Sequence, residues 1–219
     1  MKKLTRLAIV GGASALALAL SAPALAAFTP RLDASVPNGL GASGKVKLHL
    51  AVGPTDDATA RIVVYSPIRF TANGGTADTT IGTVVARIAA RDLGGAIMPA
   101  PGTIEVRPAS GTYLSSGAQV PLASAAMACT GTTTHTAYWV FRLMVAGNAV
   151  ELPAFFDPTA GAEQALGTSK VTFCGQPDDL PAGTPGRAPF GIKLVDAVLT
   201  LNAGVYTNPT TAGPYLWTS

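Results

Sequence analysis

The stretch "HTAYWVFRLMVAGNAVELPAFF", residues His135 to Phe156, decides the fold class. Ala137, Trp139, Phe141, Leu143 and Val145 recur at every second position. So do Val150, Leu152, Ala154 and Phe156 after a tight-turn signal at Gly147–Asn148. A period of two puts each set on one face of an extended strand. Two such runs flanking a short turn predict a β-hairpin. The opposite face of the first run, Thr136, Tyr138, Val140, Arg142 and Met144, is mixed in polarity. Pro153 has no N–H to give to a ladder, so the second strand is expected at an edge or at a bulge.

The same two-residue period extends in both directions along the chain. "KVKLHLAV" (45–52) alternates, with Val46, Leu48, Leu50 and Val52 on one side. "ATARIVVYSP" (58–67) turns Ala60, Ile62 and Val64 inward, and "IGTVVARIAARD" (81–92) does the same with Val84, Ala86 and Ile88. "TIEVRP" adds Ile104 and Val106, and "KVTFC" adds Val171 and Phe173. In "FGIKLVDAVLTLN" the phase slips, because Ile192 and Leu194 share one parity while Val195, Ala197, Leu199 and Leu201 share the other; a bulge near Val195–Asp196 explains this. "DPTAGAEQALG" (157–167) is long enough for one helical turn, and no sustained helical period occurs elsewhere. Strands separated by Gly- and Pro-rich turns predict an all-β protein, an immunoglobulin-like β-sandwich of about eight to ten antiparallel strands. A subdivision is possible near residues 108–125, in "PASGTYLSSGAQVPLASA".

The N-terminus reads as an address. Lys2, Lys3 and Arg6 precede an apolar run that ends in "APALAAF", where Ala24 and Ala26 stand in the small-x-small arrangement of a cleavage site. Residues 1–26 are therefore expected to be a secretory signal peptide, with 27–219 as the β-sandwich region and the chain secreted or at the cell surface. No later stretch is long and apolar enough to predict a membrane span. The charge follows from the same segment. The chain has 15 Lys+Arg and 12 Asp+Glu, and removing the three cations of residues 1–26 leaves 12 against 12. The basic pI near 9.0 thus belongs largely to the leader, and a nucleic-acid partner is not expected.

The two cysteines of an exported chain, Cys129 and Cys174, are expected to form one disulfide closing 45 positions, a loop that the chain-entropy model credits with roughly 4 kcal/mol. Their spacing is too wide for a redox pair, and only two histidines are present to complete a zinc site, so no metal and no cofactor are expected. The order Cys, Trp139, Cys matches an immunoglobulin pin, but the parity does not. Val171 and Phe173 take the buried positions, so Cys174 shares the other face with Lys170 and Thr172, while Cys129 in "ACTGTTT" reads as loop. The bond is expected to tie a loop to a strand end.

Catalytic chemistry finds little to work with. His49 shares a face with Lys45 and Lys47, and His135 opens a strand; both are expected to be solvated. There is no G-x-S-x-G elbow. Asp56–Asp57 and Asp178–Asp179 lie in turns, where acids are usually solvated, although paired carboxylates can hydrolyse glycosides and loop oxygens can hold calcium. Tyr65, Tyr138 and Phe155 fall on non-core parities, and Trp217 stands near the C-terminus. An exposed aromatic face can stack on sugar rings or on a protein partner, unless a second layer covers it.

The leader, "DDATARIVVYSP" (56–67), "IGTVVARI" (81–88), "VELPAFFDP" (150–158), "KVTFC" (170–174) and "DAVLTLN" (196–202) followed by "YTNPTTAGPYLW" (206–217) resemble a group of exported bacterial β-sandwich proteins of unknown function. The resemblance spans most of the chain after residue 26. Tyr215 and Trp217 alternate as in a strand, so either a strand closes the protein there or the chain is a piece of a longer one; the resemblance, in which similar chains tend to run on beyond that strand, favours the second. It implies no activity and no site residue. The expected function is a non-catalytic secreted module with a structural or protein-binding role; the alternative is a carbohydrate-binding or accessory module of a polysaccharide-acting protein.

Overall fold

The computed structural model describes residues 30–219. The expected leader, residues 1–26, lies outside the described residues. The strands are β1 (Arg31–Ser35), β2 (Val46–Ala51), β3 (Arg61–Ser66), β4 (Thr71–Ala72), β5 (Thr79–Ala90), β6 (Ile97–Arg107), β7 (Thr112–Ser115), β8 (Ala118–Pro121), β9 (Ala137–Val145), β10 (Asn148–Pro158), β11 (Ser169–Cys174), β12 (Ile192–Leu201) and β13 (Tyr206–Thr207). One α-helix, α1, spans Leu122–Thr130.

The protein is all-β, and nine strands form a single antiparallel ladder in the order β1-β2-β12-β5-β6-β9-β10-β11-β3. The expected sandwich predicts two ladders facing one another. The structure shows one continuous ladder, a curled sheet that wraps its own inner face. Long strands carry the right-handed twist far enough to coil the sheet, and bulges increase it. Register shifts occur between Thr80 and Gly82 on β5 and, as the phase slip predicts, between Leu194 and Asp196 on β12. The curl brings the first and last strands of the ladder toward each other. Leu48 and Leu50 of β2 enclose the same small void as Val64 of β3 and Val171 of β11. The backbone of Thr218 pairs with Tyr65, covering the outer edge of β3, with Tyr65 N donating to Thr218 O at 2.8 Å.

The inner face holds the core that alternation predicts: Val46, Leu48, Val84, Ala86, Ile104, Trp139, Phe141, Val150, Phe156 and Leu199 are all buried in one cluster. Trp139 stacks on Phe156 and donates its Nε1–H to the Gly74 carbonyl at 2.7 Å. A side chain at Gly74 would collide with Phe156 and Ala137, so only a glycine lets the chain pass this close to the Trp139–Phe156 stack. The β9–β10 turn is centred one residue earlier than the Gly147–Asn148 signal, on Ala146 and Gly147, both at positive φ (48° and 80°) as a two-residue hairpin of this twist requires. Pro153 pairs with Val140 of β9 and lies one position past the last β10–β11 pair, Ala154 with Phe173. It therefore sits where β10 has a neighbour on one side only, and its missing N–H leaves no gap in the ladder.

The outer face of β9 and β10 is not open. The stretch at 108–125 folds as the β7–β8 hairpin and the start of α1 and lies against this face. It buries a second, smaller core of Tyr113, Leu122, Ala126, Tyr138, Val140 and Phe155. Arg107 braces this layer by donating to both oxygens of Glu151 at 2.6 and 2.9 Å, while the Leu114 amide donates to the same carboxylate at 2.7 Å. Burial would raise the Glu151 pKa, but these hydrogen bonds outweigh it and hold the carboxyl below its ordinary value. The helix ends at Gly131, whose φ of 78° lets its N–H reach the Met127 carbonyl.

Cys129 and Cys174 are bonded, with Cα atoms 5.7 Å apart. Cys174 occupies the outward parity of β11, as expected. Cys129 lies in the last turn of α1 rather than in a loop, so the bond ties the helical layer to the end of a sheet strand.

Candidate binding cavity

The curled sheet is not filled to the end. An apolar cavity of about 120 Å³ remains inside it, walled by Val84, Ala86 and Ile88 of β5, Phe141 and Leu143 of β9, Phe173 of β11 and Ala197 and Leu199 of β12. Its origin is local. Ala86 and Ala197 are direct cross-strand partners, so two minimal side chains meet where neighbouring pairs carry larger ones, such as Val84 with Leu199. An engineered cavity of about 150 Å³ with an aliphatic and aromatic lining stays dry and takes benzene, so a space of this size and lining suits roughly five carbons better than water.

The mouth of the cavity follows from strand lengths. β11 ends at Cys174, whereas β10 runs on through Asn148–Pro153 with no partner on that side. Leu152, Pro153, Phe173 and Leu194 line the cavity there and are only half-buried. Two polar residues are among those that line the cavity. The Thr59 hydroxyl oxygen is buried and has no hydrogen-bond partner among the described residues. Lys193 donates its ammonium to the carbonyls of Pro54 (3.0 Å) and Asp56 (2.6 Å). Both residues line the cavity.

The aromatics singled out in the sequence do not assemble into one face. Tyr138 and Phe155 are 4% and 0% exposed beneath α1, so the covering layer, not a ligand, meets them. Tyr65 is half-buried and donates to Glu163 at 3.2 Å; burial first, and then the neighbouring Glu163 carboxylate, raise its pKa. Trp217 is half-buried and packs edge-on against Phe70 and Tyr206. It lines a separate, shallow cleft of about 480 Å³ with Phe70, Tyr215 and Asn208, and the Oδ1 atom of Asn208 is buried without a partner.

His135 is not the solvated residue the sequence suggests. Its ring is 2% exposed, its Nδ1 lies 2.7 Å from Asp157 Oδ2, and its Nε2 lies 2.9 Å from the Thr130 hydroxyl. Acid, imidazole and hydroxyl are thus in line. The hydroxyl, however, is within bonding distance of the Ala126 carbonyl, one helical turn back, and the imidazole is packed against Phe155 and Tyr138. Neither His135 nor Thr130 lines any of the cavities described above. The cluster joins the end of α1 and the loop after it to β10. His49 is half-exposed and faces Asp33 of β1 at 3.7 Å.

The acidic pairs also have structural partners. Asp56 is buried and accepts the Gly53 amide at 2.9 Å, and Asp178 pairs with Arg91. Among the described residues no group of three or more His, Cys, Asp or Glu side chains is arranged to hold a metal ion. Sequence reasoning missed the cavity altogether; the signal available was the alanine at matching core positions of two strands, whose pairing the sequence does not reveal. The chain matches no family model, and no curated protein or solved structure was found to be similar to it.

Proposed function

We propose that this chain is a non-catalytic, exported binding module whose sheet interior takes a small apolar ligand. The observation that carries the reading is the cavity of about 120 Å³ in the curled sheet, with half-buried apolar side chains at its mouth. Protein interiors are normally packed as densely as organic crystals, so an apolar void with a mouth calls for a reason. A disulfide between Cys129 and Cys174 supports an oxidising compartment and hence export. Five buried carbons at roughly 0.8 kcal/mol each give about 4 kcal/mol, or a Kd near 1 mM for a minimal probe. The test is titration of hexan-1-ol followed by NMR of the methyl groups of Val84, Ile88 and Leu199. Saturable shifts confined to those residues support the proposal. Shifts that are absent, or spread evenly over the surface, refute it.

A second reading, glycan binding, draws on a different place. Trp217 and Tyr215 flank the shallow cleft that also holds the unpaired Asn208 oxygen. Aromatic faces and an amide are a common pairing for a sugar ring. A glycan array on the protein and on Trp217→Ala tests it, and array signals that survive the substitution count against this cleft.

A further inference from the structure

We infer that the ligand of the cavity is an anionic amphiphile, a short carboxylate-headed chain whose tail fills the apolar space while its head meets Lys193. The inference rests on the apolar-cavity reading and goes beyond it to a chemical class. Lys193 lines the cavity, and its ammonium is held by the Pro54 and Asp56 carbonyls at 3.0 and 2.6 Å. Those two bonds use two of its three N–H donors and fix the position of the head group. Both acceptors are neutral, and among the described residues no carboxylate lies within ion-pair distance of this ammonium. The nearest acid in sequence to those carbonyls, Asp56, spends its side chain on the Gly53 amide. A cation with a spare donor and no counter-ion, carried by a residue that lines an apolar cavity, complements an anion attached to a hydrocarbon. The buried, unpaired Thr59 hydroxyl at the same cavity offers a second donor to such a head group. A cationic head group is disfavoured by the same charge.

The test compares hexanoate, hexan-1-ol and hexylammonium, which share a tail and differ in head group, by calorimetric titration at neutral pH. Hexanoate is expected to bind roughly five- to ten-fold more tightly than hexan-1-ol, the range of a charge-assisted hydrogen bond at a partly exposed site. Hexylammonium is expected to bind most weakly. Lys193→Met is expected to bring hexanoate down to the affinity of hexan-1-ol measured on the same variant, and Lys193→Arg to keep the preference. Equal binding of hexanoate and hexan-1-ol to the unaltered protein overturns the anionic class and leaves the apolar cavity standing. A preference that persists in Lys193→Met overturns the role of Lys193. Binding of none of the three overturns both readings together.

Discussion

His135 Nδ1 and Asp157 Oδ2 lie 2.7 Å apart, and this contact joins the loop after α1 to the outer face of β10. Asp157 uses its other oxygen to accept the Thr136 amide, so one carboxylate orders both the ring and the backbone beside it. The imidazole is then completed by Thr130 and walled by Phe155. Asp157→Ala and His135→Ala are each expected to destabilise the protein by about 2–3 kcal/mol, because a buried polar partner is left unsatisfied. Thr130→Val is expected to cost about 1 kcal/mol or less. Urea unfolding monitored by Trp fluorescence measures all of them; a Thr130→Val loss as large as that of His135→Ala would contradict this division of labour.

Reducing the disulfide removes a cross-link over 45 positions, for which loop entropy predicts a loss of about 4 kcal/mol. The bond reaches from the outer helix to β11 and does not pass through the core. Cys129→Ser/Cys174→Ser is therefore expected to keep its β-sheet circular-dichroism signal while the amides of α1 exchange faster. Loss of sheet signal in the native buffer would show that the bond holds the sheet as well.

Arg107 and Glu151 make a two-pronged pair that also captures the Leu114 amide. The Glu151 pKa is depressed in the folded state, so its contribution to stability is present above its unfolded value of 4.5 and is lost as pH falls through the lower folded value. Glu151→Gln is expected to cost about 3 kcal/mol at pH 7, since Arg107 loses its buried counter-ion. It is also expected to flatten the fall in stability below pH 4.5. Denaturant midpoints from pH 7 to pH 3 for both proteins test the slope; identical slopes would remove Glu151 from the acid response.

Ala86 and Ala197 meet across β5 and β12 at the wall of the cavity. Ala86→Leu adds carbons to that space and is expected to abolish hexan-1-ol binding. It is also expected to leave stability unchanged or raise it by roughly 0.5–2 kcal/mol, as cavity filling commonly does. Thermal unfolding and titration on one sample separate the two effects. A variant that still binds while gaining stability would place the ligand elsewhere.

Much of the fold was legible because strand periodicity is a local property. The inward set on β9 from Ala137 to Val145, the facing set on β10, the bulge before Asp196 and the outward parity of Cys174 all follow from which neighbours a side chain has two positions away. The helix α1 was less legible. Its burial pattern shows only Leu122 and Ala126, one turn apart, so it carries too short an apolar stripe to stand out from a loop rich in small residues.

By itself, the sequence determined that the chain is built of strands, which side of each strand seeks the interior, and that its two cysteines are placed for a bond outside the core. Only the tertiary structure decided that these strands form one curled ladder, that α1 covers Tyr138 and Phe155, that His135 is buried against Asp157, and that Ala86 meets Ala197 to leave a cavity beside Lys193. The reason is physical: a side chain's direction is set by residues close to it in the chain, whereas a layer, a buried pair or a void is set by residues far apart that pack together. His135 with Asp157 and Ala86 with Ala197 are contacts of that second kind, at sequence separations no periodicity can register.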